Sequence, residues 1–258
     1  MNTIKSRIKE ILRPFSPKPK IHKMHQKFFR REIPYGLDYP IASFTFDDFP
    51  RSALHSAGKI LTSVGACGTY YTSLGLMDQI IEGQGPCFTR QDLDLLLEDN
   101  HELACHTFAH VGAIQNGLGR FRDEIVKNRV ELAKIFPGYS VENFAYPGGE
   151  VTFRTKNNMR DHSESSRSCY SGINRNMIDL NLLLCQHMRM FRPLEDIQRV
   201  VDQAAHEPAW LVFYVHDVSH SPSTGGCTPE YFKAVVDYVA KHCEIFTVRE
   251  ALRRIKND

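Results

Sequence analysis

The sequence predicts an α/β domain built as a (β/α) barrel of parallel strands, on two observations. Strand-like apolar runs alternate with helical periods from residue 41 to the end, the pattern of repeated β–α units. The chain's marked polar residues also sit where a strand hands over to its loop: Asp47, Asp48, His106, the Tyr146-Pro147 turn and His216. A barrel brings all such points to one face, at the C-terminal ends of its strands, whereas an open sheet spreads them along an edge. The active site is therefore expected at that face.

Taken in order, Ile41–Phe46 (I-A-S-F-T-F) is the first strand, and Arg51–Val64 has the composition of a helix. Gly68–Ser73 is the second strand. Thr89, with Asp92 three residues on, marks a capped helix through Glu98. Glu102–Cys105 is a short strand ending at His106. Leu118, Phe121, Ile125, Leu132 and Phe136 form one face of a long helix, closed by Pro137-Gly138. Glu142–Tyr146 is extended and breaks at Pro147-Gly148-Gly149. Polar Thr155–Ser166 reads as a loop, and Arg167–Ser171 as a strand. Ile197, Val200, Val201 and Ala204 mark a helix, and Trp210–Val215 is the most apolar strand. Thr228-Pro229 opens a helix carrying Phe232, Val235, Val236 and Val239. Glu244–Val248 and a short basic helix finish the chain. This walk contains seven strands and no internal repeat.

Charge divides the chain. Formal charge is +2, yet residues 1–31 hold ten Lys/Arg against one acid, Glu10, and so carry +9, leaving −7 for the remainder. A body of that sign excludes nucleic-acid binding, which needs a basic face. Ile4, Ile8, Ile11, Leu12 and Phe15 share a helical face, with Lys5, Arg7, Lys9 and Arg13 interleaved, before Pro14, Pro17 and Pro19. Such a segment suits an anionic membrane surface; the competing expectation is a frayed terminus or a helix docked on the acidic body. The expected division is a basic amphipathic tail over 1–35 and a catalytic domain over 36–258. No secretory leader or spanning run is recognisable. Seven scattered cysteines without a C-x-x-C pair read as free thiols in a reducing compartment. Cytoplasmic placement, peripheral at the inner face of a membrane, is the resulting expectation. Cys105, though beside His106, is expected in the core.

Chemistry is carried by two carboxylates closing the first strand and by two imidazoles at i and i+4 in His106-Thr-Phe-Ala-His110. Two imidazoles and one carboxylate suit a catalytic zinc-type ion with an open position. A second, adjacent carboxylate supplies a base for water. The alternatives are a helix cap for the aspartates and ordinary surface or backbone-bonding roles for the histidines, and four motifs in order argue against them. T-F-D-D (Thr45–Asp48), H-T-F-A-H (His106–His110), F-A-Y-P-G-G (Phe144–Gly149) and a late strand ending in His216-Asp217 occur at compatible spacing.

From about Ile41 to Val248 the chain thus resembles the polysaccharide deacetylase family, carbohydrate esterase family 4, with its nodulation-type chitooligosaccharide deacetylases. The resemblance implies a distorted barrel and one divalent ion, Zn2+ first, with Co2+, Ni2+ or Mn2+ as alternatives. It implies Asp48, His106 and His110 as ligands, Asp47 as general base and His216 as general acid. Tyr146, Pro147 and Gly148 would line the substrate, with a backbone N–H from that turn facing the oxyanion. The implied substrate is an N-acetylated sugar: an oligosaccharide, polysaccharide or lipid-linked precursor. Two alternatives stand beside it: hydrolysis of another C–N amide, such as a formamido-sugar or cyclic ureide, and an inactive carbohydrate-binding relative.

Departures from the family pattern are expected to matter. Ala145 stands where many relatives carry a base-orienting arginine, and no aspartate matches the one that orients the acid. Arg167 or Arg189 is the expected replacement for the first and Asp179 for the second. Tyr214 stands where leucine is commoner. Asp217 is expected to hold the loop that follows it.

Overall fold

The computed structural model describes residues 19–189 and 191–257. Seven strands run parallel: β1 (Ile41–Asp47), β2 (Thr69–Thr72), β3 (Glu102–Cys105), β4 (Asn143–Ala145), β5 (Ser165–Ser171), β6 (Leu183–His187) and β7 (Trp210–Val215). Each pairs with its neighbour in chain order, and β7 returns to pair with β1 from Trp210↔Ile41 to Val215↔Phe46. That last pairing closes the barrel. An eighth short strand, β8 (Glu244–Ile245), pairs with Ile41–Ala42, where β2 has not yet reached β1; β2 pairs higher, at Thr45–Asp47. Every residue of β1 and of β7 is buried. Strands covered on both faces read as continuous apolar runs, which is why these two were plain in the sequence.

The helices cover the barrel as their periodicity requires. In chain order they are α1 (Pro19–Lys27), α2 (Lys59–Ser63, entered through a π-type turn at Ala53–Gly58), α3 (Arg90–Glu98), α4 (Ala113–Ile135), α5 (Phe153–Asn158), α6 (Leu194–His206), α7 (Pro229–His242) and α8 (Val248–Asn257). Thr89 and Asp92 form the expected capping box on α3. Helix α4 buries Phe121, Ile125 and Leu132, α6 buries Ile197, Val201 and Ala204, and α7 buries Phe232, Val235, Val236 and Val239. Thr228 caps α7, accepting from Tyr231 N–H, with Pro229 at the first helical position.

Four expectations need correction. Leu183–His187 is a barrel strand that the sequence does not announce, because N-L-L-L-C-Q-H shows neither period 2 nor period 3.6. Seven barrel strands are present, but β6 is one of them and Glu244–Ile245 is the extra. Thr155–Ser166 is not one loop: it opens with the end of α5 and a 3-10 turn at Met159–Asp161. Helix α5 escaped notice because its buried face is polar, with Thr155 in a capping box with Thr152 and Lys156 buried against backbone carbonyls.

The fourth correction moves the domain boundary. Pro19 starts α1, and residues 22–34 pack on the barrel. His25 is buried, its Nδ1 2.8 Å from Tyr170 Oη. Lys156 Nζ donates to the carbonyls of His25 (2.5 Å) and Phe28 (2.7 Å). Arg31 donates to the carbonyls of Ser163 and Glu164, and Glu32–Pro34 pairs antiparallel with Met177–Asp179. A boundary at 35 therefore falls inside packed structure. The amphipathic segment Ile4–Phe15 lies outside the described residues. Among those described, no helix is long and apolar enough to cross a membrane.

Candidate metal centre and its surroundings

Two strand ends build the centre. Strand β1 ends at Asp47, and the backbone then reverses through left-handed conformations at Asp48 (φ 62°) and Phe49 (φ 59°). After β3 comes His106, followed by two more such residues, Thr107 (φ 61°) and His110 (φ 52°). For residues with a Cβ this costs on the order of 1–3 kcal/mol each and persists only where the surroundings enforce it. They do so here. Thr107 Oγ1 accepts from Val111 N–H (2.8 Å), and Glu124 of α4 accepts from Ala109 N–H (2.8 Å). Ser73 donates to the His106 carbonyl at 2.7 Å, and Gly75 N–H to that of Phe108 at 2.8 Å. The two histidines are thus fixed on a loop rather than on a helix.

Asp48, His106 and His110 are all buried, and one ligand atom from each lies within 4.8 Å of the others. His106 Nδ1 donates to the Ala145 carbonyl at 2.8 Å, so its Nε2 carries a lone pair and stands 3.6 Å from Asp48 Oδ1. His110 Nε2 is 3.2 Å from the same oxygen, and Asp48 Oδ1 has no hydrogen-bond partner. Burial lowers the His106 imidazole to about 4, outweighing the pull of Asp47 and Asp48, so its lone pair is available at neutral pH. Asp48 feels burial pushing it up, but His110, His216 and His106 bring it below the ordinary carboxylate range. Buried polar ligand atoms crowded together in this way are costly unless a cation sits among them. The donor set, two imidazole nitrogens and one carboxylate, fits a divalent ion.

Asp47 faces the barrel interior and ion-pairs with Arg167. The guanidinium comes from β5, is fully buried, and lies between the rings of Tyr71 on β2 (5.0 Å) and Tyr214 on β7 (4.7 Å). Burial alone would raise the Asp47 carboxyl; Arg167 first, then His106 and His216, hold it below its usual value. The strand register explains how this arginine reaches Asp47. Ala145 on β4 is the direct cross-strand partner of Arg167 on β5. Ala104 and Ala145 cluster with Tyr71, small residues that leave the barrel interior open for the long side chain. Arg167 thus reaches Asp47 from the strand next to the one that carries Ala145.

Other expected residues fall out differently. His216, following β7, puts Nε2 3.9 Å from Asp48 Oδ2. Asp217 is buried and accepts from Ser223 N–H at 2.9 Å and from its hydroxyl, so it holds the loop as expected. Asp179 does not reach His216. Its carboxylate is taken by Lys156 Nζ at 2.6 Å and by the N–H groups of Arg31 and Asn181, because Met177–Asp179 pairs with the N-terminal strand outside the barrel. Arg189 reaches His187 Nδ1 (3.0 Å) and not Asp47. The Tyr146 ring is buried among Phe121 and Phe144 with its hydroxyl on the Asn181 carbonyl (3.0 Å), so its side chain does not line the substrate path. In the turn that follows, Gly149 and Glu150 N–H donate to the carbonyls of Tyr146 and Pro147, and Tyr146 N–H to that of Arg167. Proline has no N–H, which leaves Gly148 as the candidate donor. Cys105 is in the core, 3.4 Å from Asn128. Two residues at the site gave no sequence signal: Gln84, whose amide donates to Asp48 Oδ2 at 3.3 Å from the hairpin Ile80–Pro86, and Gly225, beside His216.

The closed parallel barrel carries its carboxylate–imidazole cluster at the C-terminal ends of its strands, where barrel enzymes place their active sites. Residues 37–165, half of the chain, match the family model described as polysaccharide deacetylase, and the chain belongs to that family. Membership implies carbohydrate deacetylation. Solved structures agree in fold. Bacillus subtilis PdaA, a family 4 carbohydrate esterase, superposes with a TM-score of 0.55 at 12% identity, covering 94% of this chain and 92% of its own. The Xyl-CE4 domain of a multidomain xylanase from the hindgut metagenome of Trinervitermes trinervoides gives 0.54 at 18%, covering 85% and 92%. A mutant of BA3943, a CE4 family pseudoenzyme with restored enzymatic activity, gives 0.51 at 13%, covering 83% and 68%. No curated protein matches the chain.

Proposed function

We propose that this protein removes the N-acetyl group from an N-acetylated sugar with the help of one divalent ion, Zn2+ first, held by Asp48, His106 and His110. The observation that carries the reading is the convergence of their three buried ligand atoms beside an arginine-paired second carboxylate. An ion bound there would supply Lewis acidity, acidifying water and polarising the acyl oxygen. Asp47 takes the proton from the attacking water while Arg167 fixes its orientation. The water oxygen forms the new C–O bond at the acyl carbon, and Gly148 N–H is the turn's donor for the oxyanion. His216 then delivers a proton to the sugar nitrogen as the C–N bond breaks, because an amine leaves poorly unless protonated.

The test is product identity. The metal-loaded protein is incubated with N-acetylated mono-, oligo- and lipid-linked sugars, a formamido-sugar and a cyclic ureide. Acetate from the N-acetylated sugars is expected. Formate or ring-opened ureide as the main product would move the activity to another amide, and binding without any product would make the chain an inactive relative.

We place the enzyme at the cytoplasmic face of a membrane, supported by its charge distribution and by seven free thiols. Residues 22–31 pack on the barrel, yet they leave Met24, Phe28 and Phe29 about half exposed beside exposed Lys23, Lys27 and Arg30. Each basic residue near an anionic leaflet contributes about 1 kcal/mol before screening. Co-sedimentation should require acidic lipid and weaken with salt, and deleting residues 1–18 should reduce it while sparing activity on soluble sugars. Deletion through residue 31 should instead lower the melting temperature, because it removes His25 and Arg31. Absence of vesicle binding by the intact chain would refute the membrane placement.

A further inference from the structure

The acid-orienting aspartate of the family pattern is missing, and the loop after β7 contains a different device. His216 Nδ1 lies 3.3 Å from the Gly225 carbonyl, which also accepts the His216 backbone N–H at 3.1 Å. We propose that this carbonyl, held by an Asp217–Ser223 clamp, fixes the orientation and tautomer of His216 in place of a carboxylate. The proposal rests on the reading of His216 as the proton donor to the leaving amine.

The clamp is built to present one oxygen. Both carboxylate oxygens of buried Asp217 are engaged by Ser223, one by its N–H at 2.9 Å and the other by its hydroxyl. Ser223 Oγ in turn accepts from Gly225 N–H at 3.2 Å, and the Ser223 carbonyl accepts from Gly226 N–H at 3.0 Å. Cys227 N–H returns to the Asp217 carbonyl at 3.0 Å, and Ser219 N–H to that of Cys227 at 3.1 Å. The loop therefore closes on itself over Asp217, and the Ser52 hydroxyl holds it from outside by accepting from Val218 N–H at 3.2 Å.

Close approach requires glycine at two positions. A Cβ on Gly225 would stand 2.5 Å from His216 Nδ1, and one on Gly226 would stand 2.4 Å from Asp217 Oδ1. The first would push the imidazole off its carbonyl, and the second would push the carboxylate off Ser223. With Nδ1–H committed to Gly225, the ring presents Nε2 toward the site, where it lies 3.9 Å from Asp48 Oδ2. The same nitrogen is then the one that carries the proton to the sugar amine, and the neutral ring left behind keeps its proton on Nδ1. A carbonyl can do this because it only accepts. It holds one tautomer without competing for the proton that is to be transferred.

Ser223→Ala is the central variant, since it opens the clamp while leaving buried Asp217, Gly225 and His216 in the chain; Ser223→Thr keeps the hydroxyl. Two readouts are taken on the zinc-loaded protein. Nitrogen-15 NMR of the His216 ring should show the Nδ1–H tautomer in the wild type and in Ser223→Thr, and a mixture in Ser223→Ala and Gly225→Ala. This measurement needs no turnover. In kinetics, Ser223→Ala should lower kcat for an N-acetylated oligosaccharide by about 10-fold, with KM nearly unchanged, comparable to the low end of the roughly 10–100-fold lost when the outer partner of a metal-ligating histidine is removed. The loss should be smaller on an activated acetate ester, whose leaving group needs little protonation, and His216→Ala should show the same asymmetry more strongly. Ser223→Thr should restore the wild-type values. A wild-type ring with its proton on Nε2, or a Ser223→Ala enzyme indistinguishable from wild type while His216→Ala is impaired, would overturn the clamp and leave the catalytic reading standing. Equal losses for His216→Ala on amide and ester would overturn the acid role itself, and the clamp's catalytic part with it.

Discussion

His106→Ala and His110→Ala should each release the divalent ion and abolish acetate production, while the barrel stays folded. The two imidazoles sit on a loop beyond β3, outside the strand ladder, and the loop has its own supports in Thr107, Glu124 and Ser73. Removing one of three ligands leaves too few donors for a catalytic site. Loss of the ion without loss of the fold follows, read by metal analysis and by thermal melting of the same sample. The strain at His110 adds a qualification of sign: relief of a left-handed residue is not expected from alanine, which tolerates φ 52° no better. Stoichiometric metal retained by the double variant would mean that other residues hold it.

Asp47→Asn should keep the ion and lose about 10²–10⁴-fold in turnover, because the amide cannot accept the water's proton. Arg167→Ala should do damage of a different kind. It leaves a buried carboxylate unpaired, which typically costs about 3–5 kcal/mol, and it frees Asp47 from the charge that keeps its carboxyl low. Because Ala145 and Arg167 face each other across β4 and β5, returning the arginine by the pair Ala145→Arg, Arg167→Ala should recover part of both stability and rate. Steady-state kinetics and denaturant melts of the three proteins check this. Near wild-type turnover in Asp47→Asn would show that another group is the base.

Much of this was legible in the residues because the signals are local. Strands buried on both faces gave unbroken apolar runs at Ile41–Phe46 and Trp210–Val215, and amphipathic α4, α6 and α7 showed their periods. Ligand candidates were legible because each follows a strand, where a barrel gathers polar side chains. What escaped was what depends on contacts far apart in sequence. Arg167 reaches Asp47 across 120 positions, and only the strand register shows that it occupies the space beside Ala145. Strand β6 lacked any period, and α5 buries polar atoms satisfied by the N-terminal segment. Asp179 was a reasonable acid by type, but Lys156 and the N-terminal strand claim it. Gly225 acts through a backbone carbonyl, which no side-chain pattern announces.

The central claim is that acetate release depends on an ion held by Asp48, His106 and His110. Acetate production from an N-acetylated oligosaccharide should disappear when the protein is chelated and dialysed, then return in proportion to added Zn2+ and level off at about one equivalent per chain, the stoichiometry of a single three-ligand site. Acetate release that survives complete removal of the metal would contradict the account, and so would a reconstituted protein that binds the sugar but leaves its acetyl group in place.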